Sequence, residues 1–233
     1  MDPRQLFTDI RLAQRCALCG IRPPATRDHV PARVFLDEPL PGQYPVVAVC
    51  ERCNQGASKD EEYVACVIDA ALHGTVIDTA LLRPKVAAAL THSQPLADRL
   101  RQAEHRGGDG KCIGFDCESA RMRRVLEKIG RGLIAFDDGD AQVGSDAEVI
   151  WSALGQVTAQ ARSDFMNAPS QLLPEVGSRA LIHLARTGFD SPRPWTTLQP
   201  GRFSYLVDRP LEGALGVRML FSDYLAAQCV FSA

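Results

Sequence analysis

Apolar positions repeat with a helical period through the first part and the middle of the chain. Ser58-Lys59-Asp60-Glu61 has the form of a capping box, in which a serine begins a helix and a glutamate three residues later bonds back to it. Apolar residues then recur at helical spacing to about Leu72, and Gly74 is a suitable end. Leu6, Ile10 and Leu12 mark the apolar side of a short helix over residues 1–15. The same kind of pattern predicts helices over residues 79–90, 95–105, 118–135, 145–160 and 176–187.

The C-terminal segment from Trp195 has a strand-like pattern. Aromatic and branched residues dominate 203–207, 216–221 and 225–231, which predicts three strands. Turns are expected at Arg209-Pro210 and around Asp223. The whole pattern predicts an α+β fold. We divide it into a domain over residues 1–75 and a helical accessory domain over residues 76–233, which ends in a small antiparallel sheet.

The composition is that of an ordinary globular protein, with 45% hydrophobic and 23% charged residues among 233. No apolar run is long enough to cross a bilayer, and the N-terminal segment lacks the apolar centre of a signal peptide. A cytoplasmic location is therefore expected, where thiols stay reduced. The net charge is −2, so a nucleic-acid partner would need a local positive surface.

Two Cys-x-x-Cys pairs enclose a segment that is poor in apolar residues. Cys16 and Cys19 form the first pair, and Cys50 and Cys53 form the second. Two such pairs complete a tetrahedral site for one structural zinc ion, which would stabilise a segment with little core of its own. The alternatives are unrelated cysteines or redox pairs. A thioredoxin-like pair should follow a strand and begin a helix in a βαβ unit, and neither pair is predicted to do so.

An Asp-His dipeptide lies between the two cysteine pairs. A zinc site with four thiolates needs no further ligand, so His29 is available for proton transfer near neutral pH. Asp28 offers a hard oxygen ligand for Mg²⁺ or a similar ion, and Asn54 directly after the second pair offers another. Adjacent residues of a regular strand point to opposite faces, so Asp28 and His29 can share a site only where the strand ends or bends.

The segments CALCG, RDHVPARVF and VAVCERCNQGASKDEEY together resemble the cysteine-flanked HNH endonucleases, over about residues 14–68. The resemblance implies a zinc-stapled, treble-clef-like ββα-metal finger that hydrolyses phosphodiester bonds in DNA. It implies His29 as the general base, and Asp28 and Asn54 as ligands of a catalytic Mg²⁺ or Mn²⁺. It also implies that the four cysteines hold the structural zinc.

The chain departs from the HNH pattern at two positions. Gln43 and Tyr44 stand where the family commonly has an asparagine that orients the catalytic histidine, and Gln43 is the candidate replacement. Asn54 stands in place of the final histidine, as in variants of the family that end in Cys-x-x-Cys-Asn. A zinc-dependent DNA- or protein-binding adaptor without catalysis is the alternative function, and a redox-regulated zinc protein is a third.

The predicted helix 118–135 carries a stripe of cations. Arg121, Arg124, Lys128 and Arg131 fall on one face, while the opposite face is apolar. The stripe could contact DNA phosphates, or it could be an ordinary solvated face. Elsewhere, Cys112 and Cys117 with His105 lack a fourth ligand, so we expect ordinary thiols there, and we expect Cys66 and Cys229 in the core.

Overall fold

The computed structural model describes residues 14–108, 112–137, 147–167, 179, 185, 195–208 and 214–232. Within them the chain is α+β, as predicted. The strands are β1 Thr26–His29, β2 Val46–Val49, β3 Glu104–Arg106, β4 Cys112–Phe115, β5 Ala147–Ala153, β6 Thr196–Gln199, β7 Phe203–Asp208, β8 Ala214–Phe221 and β9 Leu225–Ser232. The helices are α1 Glu51–Gln55, α2 Ser58–His73, α3 Pro84–His92, α4 Gln94–Gln102, α5 Ser119–Asp137 and α6 Ala159–Asn167.

The segment between the cysteine pairs folds as a small antiparallel hairpin. β1 pairs with β2 in a register that runs from Thr26 opposite Val49 to His29 opposite Val46. On the other edge of β2, the Ala17 N–H donates to the Ala48 carbonyl at 2.9 Å. The first cysteine pair therefore lies directly beside the hairpin, and α1 follows β2 after Cys50.

The C-terminal part forms a five-stranded antiparallel sheet in the order β5-β9-β8-β7-β6. The three strands expected from the sequence are confirmed as β7, β8 and β9. Ser222 and Asp223 have positive φ angles of 52° and 48°, which is the turn expected there. The turn expected at Arg209-Pro210 lies outside the described residues.

The prediction of a helix over 145–160 is wrong. Residues 147–153 form β5, which pairs with β9 over its whole length, from Ala147 opposite Phe231 to Ala153 opposite Leu225. The apolar residues of this segment fit either period, and β9, which decides between them, lies far along the chain. Of the helix expected over 176–187, only residues 179 and 185 are described, both helical. The lead-in helix with Leu6, Ile10 and Leu12 lies outside the described residues.

Two further predicted helices are confirmed only in part. A short 3-10 helix, Thr79–Leu81, stands where the helix over 79–90 was expected to begin, and α3 starts only at Pro84. The helix expected over 95–105 ends at Gln102, and the chain continues into β3, which pairs with β4. Local periodicity indicated helices here but not these interruptions.

Helix α2 follows the prediction in its extent but not in its N-terminal cap. It ends at His73, and Gly74 adopts the left-handed conformation with φ 66°. The capping box does not form, because the N-cap is Ala57, without a side-chain hydrogen bond. The Ser58 hydroxyl instead donates to the Gln55 carbonyl at 3.4 Å, and the Glu61 carboxylate contacts Lys128.

Helix α5 lies between the hairpin and the large sheet. A methyl group at Gly130 would lie 2.9 Å from Val217 Cγ1 of β8, and one at Gly132 would lie 2.7 Å from Val30 Cγ2. The two glycines thus allow close approach on both sides of the helix. Residues on both sides of position 75 contribute to one buried apolar cluster. Among the described residues, no helix combines the length and apolarity that crossing a bilayer requires.

Candidate metal centre and Asp-His hairpin

The four cysteines of the two pairs come together as expected. Their sulfur atoms all lie within 4.8 Å of one another. Cys19 Sγ and Cys50 Sγ are 3.9 Å apart, close to the roughly 3.8 Å that two ligands of a tetrahedral ion have with Zn–S bonds of about 2.3 Å. This separation is far longer than a disulfide bond. The cluster could therefore hold a zinc ion.

Backbone hydrogen bonds shape the first cysteine pair into a tight turn. Gly20 N–H donates to the Cys16 carbonyl at 2.7 Å, with Gly20 at φ 60°, and Cys16 N–H donates to the Arg22 carbonyl at 2.8 Å. Burial raises the pKa of the Cys19 thiol. Backbone hydrogen bonds at Arg22 and Ile21 and contacts with neighbouring thiols outweigh this and lower the pKa to about 6. A lowered pKa favours the thiolate, the form that binds metals.

The hairpin separates Asp28 from His29. Asp28 is buried and lies opposite the buried Val47, whereas Arg27 is exposed and His29 is half-buried. Arg27 and His29 therefore share the outer face of the hairpin, and Asp28 points inward. β1 ends at His29, which is where the sequence required an end or a bend if the two side chains were to meet at one site.

His29 contacts Arg33 and Tyr44. Arg33 Nη2 lies 3.1 Å from His29 Nε2, and a guanidinium can only donate, so Nε2 is the unprotonated nitrogen of the ring. The ring centroids of His29 and Tyr44 are 4.7 Å apart. Gln43 is exposed, and no hydrogen bond joins it to His29. The sequence singled out Gln43 as the orienting residue and missed Arg33, which lies four positions after His29 beyond the end of the strand.

Asn54 is anchored on the hairpin by its amide nitrogen. Nδ2 donates to Thr26 Oγ1 at 3.0 Å and to the Arg27 carbonyl at 3.4 Å. This arrangement orients the amide from α1 toward β1. The described residues give the carbonyl oxygen Oδ1 no hydrogen bond, so it is available as a ligand.

Asp28 is already paired with a cation from outside the hairpin. Lys128 Nζ of α5 lies 2.7 Å from Asp28 Oδ2 and 2.6 Å from Glu61 Oε1. The three side chains are only 10%, 11% and 7% exposed for Lys128, Asp28 and Glu61. Burial lowers the pKa of Lys128, but the two carboxylates outweigh burial and raise it, so the ammonium stays charged. This pairing could not be predicted from the sequence, because Lys128 is distant from Asp28 and Glu61 along the chain.

We expect Lys128→Met to lower the free energy of unfolding by about 3–5 kcal/mol. Removing one partner of a buried ion pair leaves its counter-charges without compensation. Here two carboxylates, Asp28 and Glu61, would lose their shared cation. Urea unfolding measures the difference. Lys59→Met in α2 is the matched control, because Lys59 is exposed, and it should change stability little. Equal losses in the two variants would contradict the assignment.

The cationic stripe of α5 is largely neutralised by acidic residues. Arg121 and Arg124 pair with Asp60 of α2 at 3.3 and 2.9 Å, and Arg131 pairs with Glu127 at 2.8 Å. Only Arg124, at 58% side-chain exposure, faces solvent as expected for the whole stripe. The expected outward direction is wrong for the other three: the acidic first turn of α2 contacts Arg121 and Lys128, and Arg131 lies over the Phe231 ring of β9, beside Glu127 of its own helix. The apolar face is confirmed as buried: Met122, Val125, Leu126, Ile129 and Leu133.

The remaining thiols behave as predicted. Cys66 and Cys229 are buried, and burial raises each thiol pKa to about 12. His105 Nε2 contacts Asp116 Oδ1 at 2.9 Å, and Cys112 Sγ donates to the Gly114 carbonyl at 3.5 Å. Within the described part of the chain, the four-cysteine cluster is the one group of three or more Cys, His, Asp or Glu side chains whose ligand atoms lie close enough to share an ion.

Comparison of the chain with protein-family models, curated proteins and solved structures finds no match. Membership of the HNH family therefore stays a prediction that rests on the residues themselves.

Proposed function

We propose that this protein is a metal-dependent endonuclease of the HNH type that hydrolyses phosphodiester bonds in DNA. The observation that carries the proposal is one local arrangement. The four-thiol cluster lies beside the hairpin, and β1 of the hairpin ends in Asp28-His29. Asn54 of the following helix, α1, donates a hydrogen bond to Thr26 of the same strand. The order of elements, β1-β2-α1, is that of a ββα-metal finger.

The donor set near the hairpin fits a catalytic Mg²⁺ or Mn²⁺. Both ions prefer hard oxygen ligands, and Mg²⁺ keeps several waters when few protein ligands are present. Asp28 Oδ1 and Asn54 Oδ1 would hold the ion, since neither oxygen has a hydrogen bond to the described residues. Lys128 holds the other oxygen of Asp28 at 2.7 Å. When bound, such an ion would stabilise the negative charge that develops on the phosphate.

His29 would act as the general base through Nε2. This nitrogen already carries a lone pair, because Arg33 donates to it. A water in line with the scissile phosphate would replace Arg33 at Nε2 and give up its proton there. The displaced guanidinium of Arg33 would then bind a non-bridging phosphate oxygen, for which its planar donor fork is suited.

A non-catalytic zinc adaptor that binds DNA or protein is the second candidate. The observation that favours it is the burial of Asp28 and its ion pair with Lys128, because a carboxylate neutralised in this way binds a divalent ion less readily. The adaptor would bind its partner without any cleavage.

Incubation of the purified protein with supercoiled plasmid tests the two candidates. Nicked circles should form with Mg²⁺ or Mn²⁺ and should be absent without a divalent ion. Asp28→Ala should abolish cleavage with Mg²⁺ because the ion loses a ligand, and higher Mn²⁺ should restore part of it. DNA binding without nicking under any of these ions would leave the adaptor as the function.

A further inference from the structure

Residues 14–55 contain the two cysteine pairs, the hairpin and α1, and we call this segment the finger. Four of its exposed arginines lack acidic partners among the described residues. We call them the finger arginines: Arg15, Arg22, Arg27 and Arg52. The nearby acidic residues Asp28, Asp37 and Glu38 are paired with Lys128, Arg202 and Lys85. Glu51 is the one acidic residue beside the finger arginines without a described ion pair, so positive side chains outnumber negative ones on this surface.

Backbone contacts hold the finger arginines around the four-cysteine cluster. Arg15 precedes Cys16, whose N–H donates to the Arg22 carbonyl at 2.8 Å. Arg27 lies opposite Ala48, and the Ala48 carbonyl accepts from Ala17 on its other side at 2.9 Å. Adjacent strands lie about 4.8 Å apart, so the segments that carry Arg15 and Arg27, on either side of β2, are about two strand spacings apart, roughly 10 Å. Arg52 lies between the two cysteines of the second pair.

The surface is continuous with the candidate base. Arg27 and His29 are two residues apart on β1 and share its outer face. Arg33 extends the positive charge beyond His29, which it contacts at 3.1 Å. A polyanion held by the finger arginines would therefore pass over His29.

We propose that the finger arginines, and not the cationic stripe of α5, form the surface that binds the phosphate backbone of duplex DNA. This inference rests on the proposed function and deepens it. Guanidinium groups match phosphate oxygens with two parallel hydrogen bonds. A membrane surface fits less well, because in the described part of the chain Ile21, at 84% exposure, is the one large exposed apolar residue beside the finger arginines, and membrane-bound surfaces bury an apolar face.

The salt dependence of DNA binding tests the proposal. A fluorescein-labelled 24-base-pair duplex (about two turns) is titrated by anisotropy between about 50 and 200 mM salt, without Mg²⁺ or Mn²⁺. Each phosphate contact contributes about 0.9 to the slope of log K against log salt. Arg22→Gln with Arg27→Gln should therefore lower the slope by about 2.

The matched control, Arg121→Gln with Arg124→Gln, should leave the slope unchanged because these cations already pair with Asp60. Zinc content checks that each variant is folded.

Three results would overturn the proposal. The first is an unchanged slope in the Arg22→Gln, Arg27→Gln protein (the finger variant). The second is a slope lowered by about 2 in the Arg121→Gln, Arg124→Gln protein (the α5 variant). The third is binding of the parent protein to phosphatidylserine vesicles in place of the duplex. The assay is independent of cleavage. A parent protein that binds with the expected slopes but never nicks plasmid would support the binding surface and refute the endonuclease. Plasmid cleavage together with an unchanged slope in the finger variant would refute the surface alone.

Discussion

Removal of zinc is expected to unfold residues 16–53 and to lower the thermal stability of the whole chain. Structural zinc contributes roughly 10 kcal/mol or more to the folding of comparable small sites. The large apolar residues that this segment buries, Val30, Phe35, Leu36, Val47 and Val49, belong to the cluster that also contains α5 and the large sheet, so loss of the zinc site should also affect the rest of the chain. Elemental analysis should find about one zinc per chain. Thermal unfolding with and without a zinc chelator measures the effect.

The cysteine variants provide the control for this prediction. Cys50→Ala should lose the zinc and unfold the finger, because it removes one of four ligands. Cys112→Ala should keep the zinc, because Cys112 is a half-buried thiol outside the cluster. A metal-free protein with the thermal stability of the parent would show that the cluster is not a structural zinc site.

Replacement of His29 by alanine is expected to lower the cleavage rate roughly 10²–10⁴-fold, the usual cost of losing a general base. Zinc content, fold and DNA affinity should remain close to those of the parent. The physical reason is the position of the ring, which lies on the outer face of the hairpin and is not part of the four-thiol cluster. Single-turnover cleavage of labelled duplex with Mg²⁺, beside anisotropy binding, separates the two effects.

His92→Ala is the matched control, because His92 is an exposed histidine on α3. It should cleave at the rate of the parent. A His29→Ala protein that cleaves as fast as the parent would refute the assignment of the base, and the zinc prediction would be unaffected. Asp28→Ala differs from His29→Ala in its response, since only the former should recover with raised Mn²⁺.

Features that depend on neighbouring residues could be predicted from the sequence. The spacing within each cysteine pair indicated the metal cluster, because two thiolates three positions apart can bind one ion from a single tight turn of the chain. The apolar face of α5 and the strands β7 to β9 followed from their own periodicity. β5 could not be identified in this way, since its apolar residues fit a helix or a strand equally, and β9, which pairs with it, lies more than seventy residues later.

In the candidate site, the chemical groups were predictable from the sequence, but their contacts were not. The sequence by itself determined which groups are available: four thiols, the Asp28-His29 pair, and Asn54 after the second cysteine pair. The tertiary structure decided their surroundings. Packing of α2 against α5 pairs Arg121 with Asp60 and Lys128 with Glu61, and packing of the hairpin against α5 brings Asp28 to the same lysine. The physical reason is that charges separated by tens of residues meet only when helices pack, and burial then removes the water that would otherwise screen them.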